Sequence, residues 1–300
     1  MAEGKHAFLI MAHNQPDILK KLIGVLDDER NDLYIHLDAK AVDMTPEMFG
    51  GSVRRSETFW IKRRDIVWAG ESQIRCELDL FREAAQKEYK YYHLISGVDF
   101  PIVSQKAMHS FFDEHSGYEF MEFWDRPEKE YLYRIRYRYP LQEQIGRYTN
   151  DPKTLSLRVR SKAQLMKQKA AGVDRVREYG KPVRCGANWV SVTDGFVRYL
   201  LASQGEIEKY FFQGVAADEL YKQTLCWNSP FREKIWPGGH MRLIDWERGN
   251  PYTWRERDLE DILKSEAMFV RKVSGKDQLT DLLAERMKQK RTEGEKNAVS

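Results

Sequence analysis

An apolar run, Phe8-Leu9-Ile10-Met11, stops at the polar group His13-Asn14-Gln15-Pro16-Asp17. Ile18, Leu19, Leu22, Ile23 and Leu26 then recur three and four residues apart, so the pattern predicts a strand, a loop and an amphipathic helix. Leu33-Tyr34-Ile35-His36-Leu37 repeats the apolar run and ends on Asp38, which predicts a second strand. Two buried strands joined by a helix make a βαβ unit. This opens a nucleotide-binding α/β fold whose ligand sits at the carboxyl ends of the strands.

Ile74, Leu78, Phe81 and Ala85 place a helix after the turn Trp68-Ala69-Gly70, and Tyr91 to Ser96 reads as a third strand. The turn Gly97-Val98-Asp99-Phe100-Pro101 follows, then a helix carrying Met108, Phe111 and Phe112, then an extended pattern from Tyr118 to Trp124. From Tyr131 to Tyr139 arginine and tyrosine alternate with period two. An extended segment there carries Arg134, Arg136 and Arg138 on one face and the tyrosines on the other. Residues 141–182 are polar and basic with weak periodicity, either an excursion over the mouth of a site or a solvated basic helix.

Strand character returns over Pro182 to Val192, where Gly186 and Ala187 permit close backbone approach to a ligand, and a helix follows through Phe196, Tyr199 and Leu200. Asp218 and Glu219 then stand at a predicted helix start. Met241 to Trp246 and Met268 to Val273 read as two further strands. The expected organisation is one α/β domain over residues 1–275 and a charged carboxyl-terminal helix or tail over residues 276–300.

Composition narrows the function classes. Three hundred residues at 42% hydrophobic suffice for one large core, and a net charge of +3 does not mark a nucleic-acid protein. Cys76, Cys185 and Cys226 form no CxxC pair, which suggests a reducing compartment and no zinc site. The first residues carry neither a signal peptide nor a membrane anchor pattern, so a cytoplasmic protein is expected, with peripheral association at the inner membrane face left open. No GxGxxG or GxxxxGK[ST] follows the first strand, against dinucleotide oxidoreductases and P-loop enzymes.

Among candidate residues, Asp38 either ends its strand or accepts hydrogen bonds from a uracil or ribose, and Asp99 either shapes its turn or sits beside a sugar nucleotide. For the acidic pair, Asp218 caps a helix while Glu219 complements its dipole, or Glu219 is a catalytic base.

Taken in order, these segments resemble the core-2/I-branching family of β-1,6-N-acetylglucosaminyltransferases, which includes the peptide O-xylosyltransferases. The resemblance rests on the His13 loop, Tyr34-Ile35-His36-Leu37-Asp38-Ala39-Lys40, Trp68-Ala69-Gly70 and Tyr92 to Ile102. It continues through Gly186-Ala187-Asn188-Trp189, Ala217-Asp218-Glu219, Arg242-Leu243-Ile244-Asp245-Trp246 and Met268-Phe269-Val270-Arg271-Lys272. It implies an α/β GT-A glycosyltransferase fold, a UDP-sugar donor of the GlcNAc or xylose class and inversion at the anomeric carbon. The acceptor is a hydroxyl of a glycan or glycolipid, joined in a β-linkage, with no cofactor and no metal.

The sequence has no Asp-x-Asp, so cations must meet the charge that grows on the departing diphosphate. By resemblance Glu219 is the base, and Lys272 holds the diphosphate with one of Arg271, Arg255 and Arg248. His13, Asp38 and Asp99 belong to the donor side, Trp246, Arg134 and Arg136 to the acceptor side. The disulfide cysteines and anchor of secreted relatives are missing, which fits a bacterial-type enzyme that builds a surface polysaccharide or glycolipid. Two other classes are a non-catalytic binder of glycan or single-stranded nucleic acid through residues 131–139, and a retaining transferase or hydrolase of the sugar nucleotide.

Overall fold

A computed structural model describes residues 4–146 and 152–288. The larger sheet contains β1 (His6–Ala12), β2 (Asn31–Leu37), β3 (Glu57–Ile61), β4 (Tyr91–Ser96) and β6 (Ser191–Thr193), in the order β3-β2-β1-β4-β6. β1 runs parallel to β2 and β4, β2 parallel to β3, and β6 antiparallel to β4. A second sheet joins β5 (Asp99–Pro101), β8 (Phe269–Arg271) and β7 (Arg242–Ile244) in that order, with β5 antiparallel and β7 parallel to β8. This is the α/β arrangement that the first two strands predict, a parallel-rich sheet flanked by helices.

The pleat of β1 divides the core. Ala7 and Leu9 pack with Ile74, Leu78 and Phe81 of the helix Glu71–Ala84 and with Phe196 and Leu200 of the helix Asp194–Ala202. Phe8 and Ile10 pack on the opposite face with Ile18, Leu19 and Leu22 of the helix Pro16–Val25 and with Met108 and Phe112 of the helix Gln105–Glu114. Residues 279–288 are helical, and Leu279, Leu283 and Met287 bury in this second cluster at a spacing of four. The charged tail expected past Lys288 lies outside the described residues. Each fully buried aliphatic side chain contributes about 1.5–3 kcal/mol, so both faces of the sheet anchor the strand ends where a ligand would sit.

Four sequence expectations are corrected. The Arg/Tyr stretch is not extended: Tyr133–Arg136 is a helical turn, because Tyr131, Leu132 and Ile135 bury at helical spacing and outweigh the alternation of their neighbours. Phe120 and Glu119 form only isolated bridges, and the strand predicted from Pro182 shrinks to Ser191–Thr193. Within residues 141–182 the segment Leu155–Ala170 is helical with none of its residues buried, as a solvated basic helix would be. Asp218 does not cap a helix: Ala217–Glu219 is a single 3-10 turn, Ala216 precedes it with φ +47°, and the next helix is Tyr221–Trp227.

Candidate active site

The carboxyl ends of β1, β2 and β4 meet at one edge because the three strands are parallel. Asp38 N–H donates to Ala12 O at 2.8 Å, and Gly97 N–H donates to Met11 O at 2.9 Å. A Cβ on Gly97 would lie 2.8 Å from that of Ala12, so only glycine lets the strand ends close this far. Asp38 is buried, and its Oδ1 accepts from Lys40 N–H at 2.9 Å. His13 stands exposed at the same edge. Loss of solvent lowers its pKa from 6.5 despite Asp38, and the charges of Lys272, Arg271 and Lys40 lower it further.

β8 delivers the cations. Asp99 on β5 pairs in register with Arg271 on β8, and Arg271 Nη1 donates to Asp99 Oδ1 at 2.6 Å and to Ser96 Oγ at 2.5 Å. Asp99 is fully buried, and its other oxygen accepts from Ser96 N–H at 2.8 Å. Above the guanidinium lies Trp189, its ring centroid 4.3 Å from Cζ, while Trp254 Nε1–H donates to Arg271 O at 3.0 Å. Lys272 follows, half-buried. The other two arginines are directed elsewhere: Arg248 pairs with Asp245 and with Asp258 at 2.9 Å, and Arg255 reaches Ser274 Oγ at 3.4 Å.

Glu219 ends the 3-10 turn with a part-exposed side chain. Arg134 Nη1 donates to its Oε2 at 2.6 Å. Its backbone is held from two sides: Gly186 N–H donates to Glu219 O at 3.0 Å, and Ala216 N–H donates to Ala69 O at 2.9 Å. A Cβ on Gly186 would fall 1.7 Å from Glu122 O, so the close approach read from this glycine is to the chain itself rather than to a ligand. Asp218 turns inward. Its Oδ2 accepts from Gln73 Nε2–H at 2.7 Å, and its pKa is pushed up to about 8 by burial, then by the charges of Glu219 and Glu77, against the pull of Lys222.

Behind the acidic pair lies a closed polar network. Lys222 Nζ donates to Glu77 Oε2 and Asn188 Oδ1, both at 2.5 Å, and to Asp218 O at 3.2 Å. Asn188 Nδ2–H donates to Glu77 Oε1 at 2.7 Å, and Tyr221 O–H donates to Glu77 Oε2 at 2.7 Å. Glu77 and Lys222 are completely buried, so each charge depends on the other and on these neighbours. Asn188 and Trp189, consecutive in the chain, join the two halves of the site: one binds the network behind Glu219 and the other covers Arg271.

Residues 6–268 match the model of the Core-2/I-Branching enzyme family. The chain belongs to this family. Membership makes it a glycosyltransferase. Among solved structures, similarity extends to mouse xyloside xylosyltransferase 1 in its apo form, at 11% identity and a TM-score of 0.39, covering 89% of this chain and 96% of that one. It also extends to TarS of S. aureus, at 12% identity and a TM-score of 0.28, covering 45% of this chain and 25% of that one. No curated protein matches the sequence.

In this branching-family chain, His13, Asp38, Asp99, Arg271 and Lys272 gather around one strand edge, and Arg134 meets Glu219. Arg136 does not join them. On a helical turn, residues two apart point to different sides, and Arg136 faces Asp174 at 3.7 Å. Trp246 is 53% exposed, so its ring is not part of the core. Sequence reasoning missed Glu77 and Lys222. A signal existed for Glu77, since it falls between Ile74 and Leu78 on the apolar face of its helix, where a charge must be paired. Among the described residues no group of three or more His, Cys, Asp or Glu is placed to hold a metal ion, and no helix is long and apolar enough to cross a membrane.

Proposed function

We propose that the protein transfers a sugar of the GlcNAc or xylose class from a UDP-sugar to a hydroxyl of a glycan or glycolipid, inverting the anomeric carbon to give a β-linkage. The observation that carries this reading is that consecutive residues, Asn188 and Trp189, touch the network behind a part-exposed carboxylate fixed by Arg134 and the guanidinium of a cation pair at the strand ends. Inverting transfer needs such a division, with a base on the acceptor side and positive charge on the leaving-group side.

In this mechanism the acceptor hydroxyl gives its proton to Glu219 as its oxygen attacks the anomeric carbon. The bond to the diphosphate breaks on the opposite face, and Arg271 and Lys272 meet the charge that grows on UDP. Asp99 acts through Arg271, aiming the guanidinium. Asp38 and His13 bind the nucleoside side, and Trp246 offers a ring face to the acceptor sugar. Arg255 takes no part in this scheme, its donors being directed to Ser274 and Asp277. The extended basic face that suggested a nucleic-acid groove is not formed, so that class loses its basis.

Incubating the protein with UDP-GlcNAc or UDP-xylose and a panel of sugar acceptors in EDTA, with the product followed by NMR, tests the proposal. A β-linked product is expected. An α-linked product removes inversion, and activity that vanishes in EDTA and returns with manganese removes the metal-free route.

A further inference from the structure

The helix Leu155–Ala170 is the longest in the described chain, and none of its residues is buried. Its half-buried positions, Leu157, Arg158, Ser161, Gln164, Leu165 and Gln168, face the protein. Gln168 fixes the helix by two hydrogen bonds to the backbone of Arg138, accepting from its N–H and donating to its O, each at 2.8 Å.

The outward face has an unusual composition. Leu155 is 60% exposed, Val159 60% and Met166 70%. At roughly 100° per residue these three fall with Ala163 and Ala170 in a stripe about 80° wide. Lys162 and Lys169 border the stripe on one side and Arg160 and Lys167 on the other, and the helix contains no acidic residue. A contiguous apolar stripe on an exposed face, rimmed by polar residues, marks an interaction surface.

We propose that this face docks on an anionic lipid bilayer, with the apolar stripe in the boundary between headgroups and acyl chains and the lysines and arginines reaching outward to lipid phosphates. Apolar contact at the centre with flexible cations at both margins is the arrangement an interfacial helix requires. Charge complementarity selects this occupant over a second copy of the chain. Two such helices face to face would bring eight cations together, since each presents Arg160, Lys162, Lys167 and Lys169. The proposal does not depend on the transfer reaction, and its test reads binding alone.

The whole protein is sedimented with vesicles of phosphatidylcholine, alone or with roughly one third phosphatidylglycerol. Binding to the mixed vesicles only, weakened by salt, is expected. Replacing Arg160, Lys162, Lys167 and Lys169 by Glu should lower partition more than about 100-fold, at about fivefold per lost cation. Leu155→Ser with Val159→Ser and Met166→Ser should lower it about tenfold or more. All seven positions are exposed, so far-ultraviolet circular dichroism of the variants should match that of the parent. Equal binding to neutral vesicles, no binding, or binding unchanged in the charge variant would overturn the proposal. So would a dimer in solution that the apolar triple variant dissolves, or an oligonucleotide that binds this helix in preference to the mixed vesicles.

Discussion

Arg134 and Glu219, separated by 85 positions in the chain, meet at 2.6 Å, and the contact fixes which carboxylate oxygen is occupied. If Glu219 takes the acceptor proton, Glu219→Gln should lower kcat by about 10²- to 10⁴-fold. UDP affinity, read by calorimetry, should stay within about twofold, because the substitution leaves the strand edge intact. Arg134→Ala should lower kcat by about ten- to a hundredfold with little change in donor KM. Near-normal turnover of the Gln variant removes Glu219 from the chemistry.

If the strand edge binds the donor diphosphate, Arg271 and Asp99 form the corresponding pair there. Arg271→Ala removes a charged donor from the diphosphate and should raise the Kd for UDP by about ten- to a hundredfold. Asp99→Asn keeps Arg271 but slackens its aim, and about a tenfold rise is expected. Titration of UDP into each variant decides the matter, and an unchanged Kd in the Arg271 variant would assign the diphosphate to other groups.

The buried Lys222 and Glu77 pair carries a stability cost when split. Lys222→Met alone or Glu77→Leu alone should destabilise the fold by about 3–5 kcal/mol, because each leaves a charge with no partner in the interior. The double variant should recover much of the loss. Urea midpoints of the three variants test the coupling, and additive losses would show that the two side chains act independently.

The response to pH has two limbs of opposite origin. Burial pushes His36 and His109 down to about 4 and His240 to about 3, and lowers His6 and His93 as well. These rings stay neutral in the native state while the unfolded chain takes up protons below its ordinary 6.5, so stability falls as pH drops from there toward 4. Burial pushes Glu119 up to about 7 and Asp218 to about 8. The native state then holds protons that the unfolded chain has released, and stability falls as pH rises through these values. These five histidines, with His13 lowered in the same direction, outweigh two carboxyls on the acid side, so the urea midpoint should peak near about pH 7, with a steep acid limb and a shallow alkaline one. Asp218→Asn should flatten the alkaline limb. A midpoint that rises steadily to pH 9 contradicts this assignment.

Much of the fold was legible because its first half obeys local rules. The run at Phe8, the helix from Ile18 and the strand ending at Asp38 follow the periods of their elements, and the parallel order places their ends together. The stretch from Tyr131 to Tyr139 misled because its charges alternate while its apolar residues do not. Burial of Leu132 and Ile135 decides the backbone, and the arginines then point where the turn sends them. Asp218 and Glu219 look alike in sequence, yet one faces Gln73 in the interior and the other Arg134 near the surface. That difference arises from Ala216 and its left-handed backbone, a conformation no side-chain pattern announces. Lys222 was invisible for a similar reason: its partner lies 145 positions away.

Arg271 on β8 follows Asp99 on β5 by 172 positions, yet β8 is the middle strand of the small sheet, between β5 and β7. On the ribosome the strands of the large sheet are all made by Thr193, before Phe269 to Lys272 emerge. Until then Asp99 lacks the guanidinium of Arg271, and the strand edge lacks the two cations that β8 brings to it. A partly made chain therefore lacks the cations of β8, so this edge of the site is completed late, and a ligand that depends on Arg271 and Lys272 binds after they emerge, rather than before.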